Sequence, residues 1–321
     1  MNKRSKPWST TRKVMTAVIT IIGLLIVILV AAGGYFFRVA EVRAEKDFIN
    51  GSALTKQDTL YKQQEAWRGL KQTTWQVKAD DGVKLVGHYA PAKQPTNKTV
   101  VVIHGFGVDH DAMAPYGALF HQLGYNVLMP DDRAAGKSGG HYIGFGYLDA
   151  KDYLHWLQAI IDKNGTDSQI VVMGASMGGA TTMMLAGMNP PKQVKAFIED
   201  AGYTSVMDEL MFQAGDMYGI PTWLAKILLP VVSLYSKIFA GYDYYQANAV
   251  QLLHHNQRPM LFIHGGDDKF VPTKYVHEVY AATNGPKEKY VVPGAGHVQS
   301  YATNPAKYQA KIQDFLAHYF K

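Results

Sequence analysis

The 321-residue sequence predicts an α/β fold, a mostly parallel central sheet with helices on both faces, carrying a helical lid or cap insert and an N-terminal transmembrane helix. Three observations predict it. Short apolar, β-branched runs alternate with longer amphipathic ones from Thr73 onward, a rhythm that places helices between parallel strands. A run of 24 uncharged residues, Val14 to Phe37, precedes that region. Finally, one apolar run leads directly into GASMGG (174–179) and then into a helical stretch.

The elements follow in order. Residues 1–13 carry five basic residues (Lys3, Arg4, Lys6, Arg12, Lys13) and no acidic one. Without them the chain holds 27 basic against 26 acidic residues, so the net charge of +6 belongs to the terminus and no nucleic-acid partner is expected. Residues 14–37, at 1.5 Å per residue, suffice to cross a hydrocarbon core of about 30 Å. A cleaved signal peptide is the alternative, with Ala31-Ala32-Gly33 resembling a cleavage site. Its apolar region usually spans only about 7–15 residues, so a signal-anchor is the reading adopted. The basic flank predicts a cytoplasmic N-terminus and an extracytoplasmic domain in a single-pass cell-membrane protein. The absence of cysteine fits a domain that does not depend on disulfides.

Residues 38–72 read as a juxtamembrane linker with helical character, and 73–321 as the folded domain. The segments around Asp80-Asp81-Gly82 form a predicted hairpin, an antiparallel edge to the sheet. Strands are expected at 99–105, 125–131, 169–174, 194–200, 258–265 and 289–294. Helices are expected around 110–123, 146–163, 177–188, 273–284 and 304–320. Residues 203–250 break the rhythm. They are rich in Met, Leu, Tyr and Trp, with Pro221 and Pro230 as interruptions. They read as extra packing helices or as a lid over an apolar pocket.

The chemistry concentrates at the ends of the predicted strands. Ser176 lies between a strand and a helix, where Gly174 and Gly178 permit a sharp bend and the helix N-terminus favours developing negative charge. A serine hydroxyl needs a base and an orienting carboxylate to act as a nucleophile. Asp268, in HGGDDKFVP, and His297, in VVPGAGHVQSY, follow the last two strands. Asp267 and, less directly, Asp200 are alternatives for the carboxylate. His104 reads as a loop support and Arg133 as a loop-ordering ion pair. The backbone N–H groups of Phe106 and Met177 are the expected oxyanion donors. His254-His255 lacks metal-ligand spacing and reads as a solvated helix end, so no metal is assigned. Neither a phosphate loop nor a strand-borne dinucleotide loop occurs, and no cofactor is implied.

Five segments in order carry a family resemblance: HGFG (104–107), DDRAAGKSGG (131–140), GASMGG (174–179), HGGDDKFVP (264–272) and GAGHVQSY (294–301). Over residues 73–320 the chain resembles the α/β-hydrolase superfamily, and more narrowly the bacterial membrane-anchored serine hydrolases of the Bem46/YqkD type. That resemblance implies Ser176 as nucleophile, Asp268 as acid and His297 as base. Ala134 stands where the family's D-x-R-G-x-G-x-S-x-G loop commonly has glycine. The expected activity is hydrolysis of a small-molecule or lipid-like carboxylic ester. A peptidase or amidase using the same triad and a non-catalytic binding module are the alternatives.

Overall fold

In the computed structural model, which describes residues 8–44 and 54–320, the apolar runs become strands, all almost completely buried except the half-buried edge strand Lys287–Val292. Helix α1 (Thr10–Glu41) comes first, followed by α2 (Tyr61–Arg68), β1 (Thr73–Lys78), β2 (Lys84–Ala90) and β3 (Lys98–Ile103). Next come α3 (Ala114–Gln122), β4 (Asn126–Pro130), α4 (Tyr147–Asn164), β5 (Gln169–Ala175), α5 (Met177–Gly187) and β6 (Val194–Asp200). The insert supplies α6 (Val206–Asp216), α7 (Thr222–Phe239) and the short α8 (Ala249–Leu253). The chain ends with β7 (Met260–Gly265), α9 (Lys274–Ala282), β8 (Lys287–Val292), α10 (Ser300–Thr303) and α11 (Pro305–Tyr319).

The eight strands form one sheet in the order β1-β2-β4-β3-β5-β6-β7-β8. The β1–β2 hairpin is the expected antiparallel edge, and β2 also meets β4 antiparallel. The remaining pairs are parallel. Apolar side chains pack on both faces, which is why the central strands show no alternation. One face is covered from α4, α5 and α9, with Trp156, Met183 and Val279 among the buried residues. The other is covered from α3 and α11, with Leu119, Phe120 and Phe315.

Two boundaries differ from the sequence reading. The body starts before Thr73: Trp67 of α2, only 1% exposed, lies so close to α3 that a Cβ on Gly117 would come within 2.8 Å of its ring. Of the linker assigned to 38–72, residues 45–53 lie outside the described residues. Pro230 does not interrupt a helix but sits inside α7. It lies on the exposed side, where its main penalty is one missing backbone hydrogen bond. Pro221, by contrast, does end the preceding turn, as the N-cap of α7.

Helix α1 extends past the uncharged run at both ends and is long and apolar enough to cross a membrane. It is exposed as far as Ile28, whereas from Leu29 onward it packs against α7. Gly33 and Gly34 allow that approach: a Cβ there would come within 2.6 Å of Val231 and 3.2 Å of Tyr235. The Tyr235 hydroxyl donates to the Val30 carbonyl (3.1 Å). At its end, the buried Glu41 accepts from Ser236 Oγ (2.9 Å) and Tyr244 OH (3.0 Å).

Candidate active site

Strand β5 stops at Ala175, α5 starts at Met177, and Ser176 makes the bend with φ 57° and ψ −122°. A non-glycine residue rarely adopts that conformation, and here neighbours impose it. The Ser176 amide donates to the Asp200 carbonyl (2.9 Å), completing the ladder to β6. A Cβ on Gly174 would overlap the Gly178 carbonyl, and one on Gly178 would overlap the Ile103 carbonyl. Gly174 and Gly178 are therefore demanded by packing between β3, β5 and α5.

The parallel strands end along one edge, and their following loops meet there. Ser176 Oγ lies 2.8 Å from His297 Nε2, and His297 Nδ1 lies 2.8 Å from Asp268 Oδ2. Asp268 Oδ1 accepts from the Phe270 and Val271 amides, both at 2.9 Å. Burial pushes the Asp268 carboxyl up, but hydrogen bonds from His264 and then His297 outweigh it and bring the pKa down to about 2. An ionised carboxylate can only accept. His297 Nδ1 is therefore the donor, which leaves Nε2 of the neutral ring to accept from the Ser176 hydroxyl. Of the other acidic candidates, Asp267 is exposed, and buried Asp200 accepts from Tyr308 OH (2.9 Å).

The loop after β3 runs along the serine: a Cβ on Gly105 would sit 3.3 Å from Ser176 Cβ. His104 holds this loop. Its Nδ1 donates to the Gly105 carbonyl (2.8 Å) and its Nε2 accepts from the Asp132 amide (2.9 Å). Burial holds its pKa below the ordinary imidazole value, favouring the neutral ring that both bonds require. The Phe106 ring stacks on Phe145 with centroids 5.4 Å apart.

The 131–140 loop keeps its bend although Ala134 replaces the common glycine, because Ala134 itself takes φ 59°. Arg133 forks onto Asp152 (2.8 and 2.7 Å) and reaches Asp81 (2.9 Å). Asp131 accepts from the His110 ring (2.7 Å) and the Lys137 amide (2.8 Å). Among the described residues, His88, His110 and Asp131 offer ligand atoms within 4.8 Å of one another. The two imidazoles, however, stack 3.6 Å apart at 9°, so their in-plane lone pairs run side by side instead of converging on one ion. His254 and His255 are exposed at the end of α8.

Ser176 opens onto two unlike spaces. One is an apolar cavity of about 120 Å³, walled by Phe106, Leu228 and Val232 and by Phe36, Val39 and Ala40 of α1. The other is an open groove of about 1,410 Å³ with mixed walls, in which Asp109, Asp111 and Gln299 stand beside apolar residues such as Met113 and Phe270, and it reaches His297. Two contributors escaped the sequence reading. His264, four residues before Asp268, has its Nε2 3.3 Å from Asp268 Oδ2, and the FIHGGDD spacing was the available signal. The α1 wall of the cavity left no local signal at all.

A mostly parallel sheet with a serine at a strand–helix elbow defines the α/β-hydrolase fold. The chain belongs to the prolyl oligopeptidase family, whose sequence profile matches residues 116–321. It is similar to YqkD of Bacillus subtilis (strain 168), 25% identical over 305 residues covering 94% of this chain and 97% of that one. It is also similar to YfhR of Escherichia coli (strain K12), 23% identical over 74% of this chain and 78% of that one. In structure it is similar to the Pyrococcus furiosus esterase Pf2001, with a TM-score of 0.63 and 24% identity over 78% of this chain and 92% of that one. The protein is thus a hydrolase of the α/β-hydrolase superfamily, of the YqkD type, and its long apolar N-terminal helix is consistent with a single-pass membrane anchor.

Proposed function

We propose that the protein is a serine hydrolase that cleaves carboxylic esters through an acyl-enzyme, with Ser176, His297 and Asp268 as its triad. The observation carrying this reading is the continuous hydrogen-bonded line from Ser176 Oγ through His297 to an ionised Asp268. His297 Nε2 takes the hydroxyl proton as Ser176 Oγ attacks the ester carbonyl. Asp268 holds the imidazole in the accepting tautomer and stabilises its charged form. The Phe106 and Met177 amides receive the oxyanion, each contributing on the order of 3 kcal/mol. Collapse expels the alcohol, protonated by His297, and water attack on the acyl-enzyme then releases the acid and restores Ser176.

The paired spaces support an ester with an apolar acyl part in the cavity and a less apolar alcohol part in the groove. Membership of the prolyl oligopeptidase family favours a second reading, amide or peptide cleavage by the same triad. Side-by-side turnover of esters and acyl amides separates the two. In the first reading the helix α1 anchors the enzyme in the cell membrane with its N-terminus cytoplasmic, as the basic flank favours. The test of the nucleophile is labelling by an active-site serine phosphonate probe. Ser176→Ala is expected to abolish labelling and turnover while leaving the melting temperature near that of the wild type. Undiminished labelling of the variant rejects the assignment.

A further inference from the structure

The anchor helix and the insert helix α7 together form more than a tether. We propose that the outward face of α7 is embedded in the same bilayer as α1, and that the two helices form a membrane-level entrance through which the acyl chain of a bilayer-resident ester reaches Ser176. This rests on the ester hydrolase reading above and adds the source of the substrate and the role of the anchor in binding it.

A hydrocarbon core of about 30 Å takes roughly 20 helical residues. Counted from Val14, the first residue after the charged Arg12-Lys13 pair, that span reaches Gly33. The stretch from Val14 to Ile28, before α7 packs on one side of the helix, is too short to cross alone. Gly33 and Gly34 are the residues that pack on Val231 and Tyr235 of α7, and Val30 accepts the Tyr235 hydroxyl. A membrane that holds α1 therefore meets α7 at the same level.

The surface of α7 fits that position. Trp223, Ile227, Leu234 and Ile238 are 66%, 49%, 55% and 65% exposed. With the exposed Pro230 they repeat at intervals of three or four residues and so make one apolar stripe along the helix. Phe239 beside it is 53% exposed. The helix has two charges, Lys226 and Lys237, both exposed and each one residue before a member of the stripe. That places them at a common edge, where the long stem of Lys226 lets its ammonium reach headgroups, while Lys237 Nζ sits 3.2 Å from Asp243 Oδ2. A stripe of this kind on a protein surface marks a membrane or partner contact, and its continuity with the membrane-length helix α1 selects the bilayer.

The cavity beside Ser176 lies between these same elements. Phe36, Val39 and Ala40 of α1 face Leu228, Leu229 and Val232 of α7 across it. An acyl chain bound there is in contact with the last turns of the anchor, at the boundary where the hydrocarbon layer ends.

The test uses the full chain in vesicles of phosphatidylethanolamine and phosphatidylglycerol. Because the sequence contains no cysteine, single cysteines carrying an environment-sensitive fluorophore can be placed at Leu234→Cys, Ile238→Cys and, at the opposite end of the sheet, Lys192→Cys. Lipids brominated on their acyl chains are expected to quench the two α7 labels and not the control. If the α7 labels are quenched no more than the control, the proposal is overturned. Turnover of a palmitoyl ester dissolved in the bilayer is then compared with that of a water-soluble acetyl ester. Ala40→Phe, which fills the cavity from the anchor side, is expected to lower the palmitoyl-to-acetyl ratio roughly tenfold, at about fourfold per methylene of lost contact. Leu228→Ala, which enlarges the cavity, moves the ratio the other way. Unchanged ratios in both variants overturn the proposal. Absence of turnover of both esters in the wild type instead refutes the ester hydrolase reading, while the quenching still decides the position of α7.

Discussion

Replacing Asp268 by Asn tests the proposed triad with the smallest change of shape. In the native site Asp268 Oδ2 accepts from His297 Nδ1 at 2.8 Å, while Oδ1 accepts from the amides of Phe270 and Val271. The two amide donors require an oxygen at Oδ1, so the asparagine NH₂ must take the Oδ2 position. Two donors then face each other across 2.8 Å. His297 escapes by moving its proton to Nε2, the nitrogen that faces Ser176, and can no longer accept the hydroxyl proton. In a serine–histidine–aspartate relay this tautomer change lowers kcat by about 10⁴, equivalent to roughly 5.5 kcal/mol in the barrier. Folding is affected less. Asp268 is held at about 2 against an ordinary 3.8. A depressed carboxyl stabilises the fold above the unfolded pKa and loses that contribution as pH falls through the folded one, so at neutral pH the charge is worth about 2 kcal/mol. The assay is kcat on a water-soluble acetyl ester in detergent, beside a thermal melt of the same sample. A folded Asp268→Asn enzyme with kcat within an order of magnitude of the wild type excludes the proposed role of Asp268.

Three further outcomes are expected. Gly178→Ala drives a Cβ into the Ile103 carbonyl and should cost about 1–3 kcal/mol with loss of probe labelling, measured by denaturant unfolding and fluorophosphonate reactivity. Arg133→Met leaves Asp152 without its forked partner in a buried site and should cost about 3–5 kcal/mol. The double variant Arg133→Met/Asp152→Leu should recover much of this, so a double variant no more stable than the single one contradicts the pairing. Burial pushes Asp132, Asp149, Glu199 and Glu209 up to about 8. Raised carboxyls hold more protons in the folded state between their ordinary values near 4 and about 8, so stability should fall as pH rises through that window. Asp131 and Asp268, both held at about 2, act only on the acid side, below about 4. Melting temperatures at pH 5 should therefore exceed those at pH 8.5, and a flat or rising profile argues against these buried groups.

Much of the architecture was legible because it is locally encoded. Buried central strands need β-branched runs, such as TVVVI at 99–103, and the elbow at Ser176 needs glycines on both sides, so the sequence shows both. The hairpin, the alternation of strand and helix, and the uncharged span of α1 follow from the same short-range rules. The bend at Ala134 was less legible, since the residue carrying φ 59° is not the one that usually does so. Asp267 and Asp268 differ by one position in sequence, and only the turn after β7 decides that the first faces solvent and the second faces His297.

The layered α/β fold, the elbow and the order Ser176, Asp268, His297 were set by the chain's residues alone, because each is written in spacings of a few residues that backbone geometry must obey. Which groups share an environment was left to long-range packing. It put His264 behind Asp268, buried Glu41 against Ser236 and Tyr244, and set the turns of α1 around residues 36–40 across a cavity from α7. Val30 and Tyr235 are 205 positions apart yet hydrogen-bonded. Such contacts, and the dielectric they create around each titratable group, depend on how remote elements pack, and no local pattern of residues carries that information.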